Sequence, residues 1–318
     1  MLNIAIIGVG QVGYRHFESV LSITNDVSIT VVDPHKDSLD RTKDIFETRK
    51  PNARIKSVRY LRNLQQVNDR IDVAIVSTSA DHRYSVINEL LDRTEVNYFI
   101  LEKILFQRTV DYESVLDLLN RHNSKAWVNC TRRLYNVYIQ LKELFRNTTI
   151  HEMQVKGSDW GLASSTIHFI DLISYFTKCT EYSLIVDQEH SLWRDSKRPG
   201  IKELMGHISV RFNNGTYLNL SSYKDGTIPI IIELVSDDAI VLIDERHEII
   251  HISLKADNWE WKIRECRIPL QKDLTAKVIE DIVDTGDCLL TPIKESIELH
   301  LPMMKVLSQQ SNKDLDQS

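Results

Sequence analysis

Short, mostly apolar runs alternate with amphipathic stretches through the first ~125 residues of the chain. The runs predict buried strands of a parallel sheet. The stretches between them predict helices, most clearly at His82–Leu91 and Tyr112–His122. This alternation is typical of a parallel sheet with helices on both faces. The predicted strands are Leu2–Ile7, Val27–Val32, Arg54–Val58, Asp72–Ser77, Tyr98–Leu101 and Ala126–Asn129.

After Cys130 the pattern changes to a long series of strand-like segments with apolar and polar residues in alternation. Asn213-Asn214-Gly215 lies between two of these segments and predicts a hairpin turn. The sequence therefore predicts an α/β protein of two domains: a parallel-sheet domain over residues 1–125 and an α+β domain with a large, mostly antiparallel open sheet over residues 126–318. The predicted strands of this second domain are Tyr182–Leu192, Met205–Phe212, Thr216–Ser222, Ile230–Val235, Ala239–Ile243, Ile249–Leu254 and Glu260–Ile268.

A glycine fingerprint directly follows the first predicted strand. Its three glycines permit a tight turn, a close approach of the backbone to a pyrophosphate and close packing of the next helix. Asp33, 20 residues after the last glycine, ends the second strand and is suited to bind ribose hydroxyls and repel a 2′-phosphate. We therefore predict NAD binding, with NADP less favoured although His35 and Lys36 follow; the alternative is an ordinary strand–turn–helix. The predicted cofactor contacts in this region are Gly8, Gly10, Gln11, Val12, Gly13 and Asp33.

Further candidates stand where the fourth and fifth strands end. Thr78 and His82 follow the fourth strand, while Glu102 and Lys103 end the fifth. The carboxyl ends of parallel strands are where a cofactor lies in an open α/β sheet. All four are predicted cofactor contacts, and a partly desolvated Lys103 is suited to polarise a carbonyl group. The alternative for Lys103 is a solvated side chain.

In the second half, His168 is predicted in the first turn of a helix over Ser165–Thr177, where an imidazole can exchange a proton near pH 7. Asp171 shares its helix face, so the alternative is a core histidine that Asp171 satisfies. Arg132 and Arg133 follow the sixth strand and are suited to bind a carboxylate or phosphate; the alternative is that they face solvent. We predict Arg132, Arg133 and Asp171 as substrate contacts.

Composition excludes several classes of function. The 39 basic and 45 acidic residues give a net charge of −6, which argues against a nucleic-acid-binding surface. No apolar stretch approaches the ~18 residues of a membrane span, and no leader peptide is evident. Nothing in the spacing of histidines and cysteines suggests a metal site. The scattered cysteines predict reduced thiols in a cytoplasmic protein: Cys130, Cys179, Cys266 and Cys288.

These motifs resemble the Gfo/Idh/MocA family (glucose–fructose oxidoreductase and inositol dehydrogenase). The resemblance spans nearly the whole chain. It implies an N-terminal Rossmann domain, a C-terminal sheet that forms homodimers or homotetramers, and NAD(P)-dependent chemistry on sugars, inositols and related polyols. It also implies that Lys103 is the catalytic lysine and His168 the acid–base histidine. The stretches that carry it are GVGQVG, STSADHR, LEKI, CTRRLYNVY, IHFIDLISYF and PIKESIELHLPMMKVL.

Two departures from the family pattern bear on function. Ile104 follows Lys103 where the family usually has proline, and Ser164 stands where members often carry an aspartate; Asp159 is a nearby substitute. The leading hypothesis is an NAD(H)-dependent oxidoreductase that acts on a secondary alcohol or ketone of a carbohydrate-like small molecule. The alternative is a non-catalytic dinucleotide-binding protein, either a cofactor sensor or an accessory subunit of carbohydrate biosynthesis.

Overall fold

The computed structural model describes residues 1–49, 52–196 and 202–315. The chain forms two compact units. Unit 1 comprises Met1–Thr131 and Pro269–Ile297, and unit 2 comprises Arg132–Ile268 and Glu298–Ser318. Each unit has its own sheet and its own buried apolar core.

Unit 1 contains, within its described residues, a seven-stranded sheet in the order β16-β6-β5-β4-β1-β2-β3. All neighbouring strands are parallel except β16 against β6, which confirms the predicted parallel sheet. Its central strands are buried because both of their faces are apolar, as parallel strands require. The strands are β1 (Leu2–Ile7), β2 (Val27–Val32), β3 (Ile55–Leu61), β4 (Ile71–Val76), β5 (Val96–Leu101), β6 (Lys125–Val128) and β16 (Thr291–Pro292).

Most helices of unit 1 connect its parallel strands, whereas α7 precedes the edge strand β16. Each buries an apolar face, with residues such as Phe17 of α1, Ile87 of α3 and Leu118 of α4. Asp111 lies within the first turn of α4, where it pairs with Arg108. The helices are α1 (Gln11–Val20), α2 (Lys36–Thr48), α3 (Ala80–Arg93), α4 (Thr109–Arg121) and α7 (Thr275–Thr285).

The segment Pro269–Ile297 belongs to unit 1, whereas the sequence pattern assigned it to the second domain. Two long-range interactions explain the difference. Thr291 pairs with Val128 at the edge of the seven-stranded sheet. The N–H of Ala276 donates to the hydroxyl oxygen of Ser19 at 3.0 Å, which joins α7 to α1. The parallel-sheet unit is therefore built from two separate parts of the chain.

Unit 2 contains, in the part of the chain described, a nine-stranded sheet in the order β15-β14-β13-β12-β7-β11-β10-β8, with β9 paired to β10. It is mostly antiparallel, as predicted, but β7 and β11 are parallel. Its elements are α5 (Asn136–Leu144), β7 (Ile150–Ser158), α6 (Leu162–Thr177), β8 (Tyr182–Val186), β9 (Leu192–Asp195), β10 (Lys202–Phe212), β11 (Tyr217–Tyr223), β12 (Ile231–Ser236), β13 (Ala239–Asp244), β14 (Ile249–Leu254) and β15 (Trp261–Glu265); α8 (Ile293–Leu315) begins in unit 1 and continues in unit 2.

Turn residues explain where the strands of unit 2 end. The Asn213-Asn214-Gly215 turn connects β10 and β11 as an antiparallel pair, which confirms the predicted hairpin. The single strand predicted over Tyr182–Leu192 is wrong, because the chain turns at Asp187, whose carboxylate accepts hydrogen bonds from the N–H groups of Glu189 and His190. Within the described residues, no helix is long and apolar enough to cross a membrane.

Candidate functional site

The glycine loop of unit 1 has the geometry that the fingerprint requires. Gly8 has a φ of 83°, and a Cβ there would lie 2.9 Å from the backbone nitrogen of Thr78. A Cβ on Gly13 would lie 1.8 Å from the carbonyl oxygen of Gly8, so helix α1 packs against the loop at backbone distance. At Gly10, by contrast, an added Cβ meets no atom of the described residues within 4 Å. Neighbouring atoms thus leave no room for a side chain at Gly8 and Gly13, whereas there is free space at Gly10, the glycine at which the backbone approaches a pyrophosphate.

Helix α1 begins directly at this opening. The N–H of Tyr14 donates to the carbonyl of Gly10 at 3.0 Å, the first hydrogen bond of the helix. The preceding N–H groups, at Gln11, Val12 and Gly13, have no acceptor within a helix, so they are available to an anion. The residues present therefore fit the pyrophosphate of a nicotinamide dinucleotide.

Asp33 supports the loop from the end of β2. It is buried, and its two carboxylate oxygens accept hydrogen bonds from the N–H groups of Val9 at 2.7 Å and His35 at 2.8 Å. Arg41 of α2 donates to the carbonyls of Val9 and Gly10 at 2.8 and 3.0 Å. The sequence pattern did not identify Arg41, because nothing local connects α2 with the loop.

Thr78 lies against the glycine loop, and His82 does not. The hydroxyl oxygen of Thr78 is buried and has no hydrogen-bond partner among the described residues, which leaves it available to a ligand. The neighbouring Ser77 donates to the carbonyl of Gly8 at 2.6 Å. His82 is exposed in the first turn of α3, beside Asp81. Both residues remain predicted cofactor contacts, and the geometry favours Thr78.

The Glu102 carboxylate points into unit 1, which corrects its prediction as a cofactor contact through the side chain. It accepts hydrogen bonds from the ring of His16 at 2.9 Å and from the amide of Asn129 at 2.5 Å. Burial alone would raise the pKa of Glu102, but the hydrogen bond and charge of His16, the Asn129 amide and the charge of Arg83 hold it below its usual range. Glu102 is thus a buried anion with partners of its own.

This cluster extends into the segment that returns to unit 1. The second ring nitrogen of His16 lies 2.8 Å from the hydroxyl of Thr275, and Asn129 donates to Gln271 at 2.8 Å. His16 is completely buried on α1. Its only local signal is its position three residues after Gly13, and its partners are more than 85 residues away in sequence. Sequence reasoning therefore missed His16, Asn129, Gln271 and Thr275.

Lys103 directly follows Glu102 and is half-buried at the carboxyl end of β5. The peptide bond between Lys103 and Ile104 is cis. The backbone on both sides of Lys103 is held by Arg83 of α3, whose guanidinium donates to the carbonyls of Glu102 at 2.6 Å and Leu105 at 2.7 Å, and also to that of Ile104. Arg83 was not among the predicted site residues.

The arginines predicted to bind substrate pair instead with carboxylates inside unit 2. Arg133 makes a bidentate pair with Asp171, both contacts at 2.8 Å, and the two residues are 5% and 1% exposed. Arg132 makes a second bidentate pair with Glu245 at 2.9 and 2.7 Å. A buried charge is stable only when another group compensates it, and these pairs provide that compensation. This pairing gives Arg132, Arg133 and Asp171 a structural role in unit 2, and the burial of Arg133 and Asp171 argues against their predicted contact with substrate.

His168 lies on α6, half-buried. The helix begins at Leu162, three residues before the predicted start, so His168 is in the second turn rather than the first. Asp171 forms a bidentate pair with Arg133, and the alternative of a core histidine that Asp171 satisfies stays a prediction. Asp159, the suggested substitute for the missing family aspartate, makes an ion pair with Arg194.

Comparison with known proteins bears on the glycine loop and the fold. Residues 2–130 match the family described as "Oxidoreductase family, NAD-binding Rossmann fold" (GFO_IDH_MocA). No curated protein matches the chain by sequence.

Solved structures extend the likeness over both units. UDP-N-acetylglucosamine 3-dehydrogenase GnnA from Acidithiobacillus ferrooxidans is 12% identical, with a TM-score of 0.72 over 96% of each chain. Biliverdin reductase from Synechocystis sp. PCC 6803, in complex with biliverdin and NADP+, is 14% identical, with a TM-score of 0.72 over 97% of this chain and 98% of that one. The super-repressor mutant of Gal80p from Saccharomyces cerevisiae is 13% identical, with a TM-score of 0.74 over 96% and 95%. At these identities the likeness shows a shared fold and nothing finer.

Proposed function

We propose, from the match of residues 2–130 to the Gfo/Idh/MocA family of NAD-binding oxidoreductases, that this chain is a dehydrogenase or reductase that acts on CH–OH groups. The reaction is hydride transfer between NAD(H) and a secondary alcohol or ketone of a sugar, sugar acid or polyol. The observation that carries the proposal is the glycine loop, which is open only at Gly10 and has the buried, unpartnered hydroxyl of Thr78 beside it. Lys103 follows β5, which pairs with β4, the strand that precedes Thr78.

A bound nicotinamide dinucleotide supplies the hydride acceptor or donor. The chain itself must stabilise the alkoxide that develops on the substrate oxygen and exchange its proton. We assign the first role to the Lys103 ammonium and the second to the His168 imidazole. We propose NAD(H) rather than NADP(H) because the Asp33 carboxylate lies at the end of β2, where it accepts a hydrogen bond from the glycine loop. The 2′-phosphate of NADP(H) would place a second negative charge near this carboxylate, and the two charges would repel each other.

The test is a panel of polyols, sugar acids and keto-sugars, assayed with NAD(H) and NADP(H) by absorbance at the nicotinamide band. Lys103→Met removes the ammonium and keeps most of the side-chain volume. The matched control is Lys43→Met, because Lys43 is an exposed lysine of α2 in the same unit. We expect at least a ~10²-fold loss of turnover for Lys103→Met and none for the control. Equal turnover in the two variants would remove Lys103 from the mechanism.

A second candidate is a non-catalytic dinucleotide-binding protein. Two observations favour it: Ser164 replaces the expected aspartate, and a fold neighbour is Gal80p, which a related structure describes as a transcriptional regulator. Binding of NADH without turnover of any panel substrate would support this candidate. Turnover that depends on Lys103 would exclude it.

We also propose that the chain forms a homo-oligomer through one face of the nine-stranded sheet. Along β12 and β13, alternate side chains are buried in the core of unit 2. The residues that alternate with them include half-buried apolar side chains, among them Val235, Ile240 and Leu242. An apolar sheet face of this kind is suited to pack against a second copy.

For location we propose the cytoplasm, because the four cysteines, Cys130, Cys179, Cys266 and Cys288, are scattered along the sequence without the spacing of a disulfide framework. Within the described residues, no disulfide involves Cys179, Cys266 or Cys288. Free thiols persist where the redox environment is reducing. Fluorescence microscopy of a tagged chain in its own cells tests the proposal, and an extracytoplasmic signal would contradict it.

A further inference from the structure

Arg83 is a buried cation that the proposed chemistry does not use directly. Its side chain belongs to α3 and is 2% exposed. No salt bridge joins it to a carboxylate within residues 1–49, 52–196 and 202–315. Burial lowers the pKa of Arg83 to about 10, and the charge of Glu102 opposes that shift only in part. An apolar side chain of the same length would avoid the desolvation of a charge, so the guanidinium needs another explanation.

The partners of Arg83 give that explanation. One terminal guanidinium nitrogen, with its two N–H groups, lies within hydrogen-bond distance of the carbonyls of Glu102, Ile104 and Leu105, and the other terminal nitrogen donates to that of Thr78. These carbonyls lie beyond the ends of β4 and β5. At the end of the two strands, the N–H of Glu102 donates a backbone hydrogen bond to the carbonyl of Val76 at 3.2 Å. Arg83 therefore continues the ordered hydrogen bonding of the sheet past the point where the strands end.

The held segment contains Lys103. Glu102 and Ile104 are its two neighbours, and both of their carbonyls bind the same guanidinium. The Glu102 side chain is fixed independently by His16 and Asn129. The backbone of Lys103 is thus restrained on either side, while Lys103 itself is half-buried at the edge of the sheet.

We propose that Arg83 is a positioning residue: it holds the Glu102–Leu105 backbone so that the Lys103 ammonium stays at the edge of the sheet where the strands end. This inference rests on the proposed function, since it assumes that Lys103 faces the nicotinamide end of the cofactor. Placement matters because a displacement of about 1 Å of a reacting group can cost ~10²-fold in rate. A lysine at position 83 keeps the charge but cannot reach these carbonyls in the same fork geometry.

The test measures the segment directly and needs no substrate. Arg83→Lys and Arg83→Met are compared with wild type and with Arg93→Lys, a partly exposed arginine of the same helix. Hydrogen exchange of peptides that cover residues 102–106 is followed with and without NADH. Acetylation of Lys103 is quantified by mass spectrometry under the same conditions, and NADH affinity is measured by fluorescence.

We expect exchange of residues 102–106 to rise at least 10-fold in Arg83→Lys, with exchange elsewhere and in Arg93→Lys unchanged. NADH should protect Lys103 from acetylation at least 5-fold in wild type and less than 2-fold in Arg83→Lys, while NADH affinity changes by less than about 3-fold. If Arg83→Met does not fold, the comparison of Arg83→Lys with wild type is sufficient to test the inference.

Two results overturn the inference. One is exchange that rises uniformly across the chain, which would make Arg83 a general stabilising residue. The other is unchanged protection of Lys103 in Arg83→Lys. If instead NADH binds wild type without protecting Lys103, the proposed role of Lys103 fails first and the inference fails with it. The wild-type measurement therefore separates the two failures.

Discussion

The Arg133–Asp171 pair provides the sharpest test of the corrected assignment in unit 2. Both side chains are almost completely buried, and two contacts of 2.8 Å join them. Arg133→Met leaves the Asp171 carboxylate buried without its cation, and Asp171→Leu leaves the guanidinium without its anion. Losing one partner of a buried pair costs about 3–5 kcal/mol. The double variant Arg133→Met/Asp171→Leu should recover a large part of that loss, because no uncompensated charge remains.

For a unit of this size, 1 kcal/mol corresponds to about 2–4 °C in melting temperature, so each single variant should melt about 6–20 °C below wild type. Thermal unfolding followed by circular dichroism measures this. The matched control is the exposed pair Arg146–Glu143 of the same unit, where Arg146→Met should change stability by less than about 0.5 kcal/mol. Single variants that lower stability by less than 1 kcal/mol, with additive effects, would refute the reasoning and return Arg133 to the candidates for substrate binding.

Three further predictions follow from the cofactor loop, the thiols and the open sheet face. Gly10→Ala should change the stability of the free protein by less than about 0.5 kcal/mol, because the added Cβ meets no neighbouring atom of the described residues, but it should abolish the stabilisation of about 2.7 kcal/mol that NADH provides at 100 times Kd. Gly13→Ala should instead destabilise the free protein by about 1–3 kcal/mol, because its Cβ would overlap the carbonyl of Gly8. Melting temperatures of both variants, measured over a series of NADH concentrations, check these two outcomes. Burial raises the pKa of Cys266 to about 11 and of Cys288 to about 12. Because the thiolate is the reactive form, both residues should react with iodoacetamide at pH 8 at least about 100-fold more slowly than free cysteine, and faster as the pH rises toward 10. Mass spectrometry measures the rates, and a rate at pH 8 equal to that of free cysteine would contradict the prediction. Leu242→Glu should lower the molar mass by light scattering to that of one chain, and a wild type that is already monomeric would exclude the proposed oligomer.

The strands and the glycine loop could be predicted because their requirements are local. β1 and β2 have the predicted bounds, since a run of apolar residues that must be buried on both faces is visible in six consecutive positions. Gly8 needs a positive φ, and this requirement shows in the residue type itself. The assignment of Pro269–Ile297 failed because the pairing of Thr291 with Val128 joins positions that are far apart in sequence.

The sequence by itself determined that unit 1 holds a dinucleotide-type loop after β1, and it identified Lys103 at the end of β5, two strands away in the same sheet. It could not decide which charged side chains face inward. Arg83, Arg133 and Glu102 look like surface residues in a sequence, because their compensating partners are carbonyls, a carboxylate and an imidazole brought close only by the fold. A charge in a low-dielectric interior is stable only with such partners, so its role depends on long-range contacts. The tertiary structure therefore showed that the predicted substrate arginines pair with carboxylates, and that Arg83 binds the carbonyls on either side of Lys103.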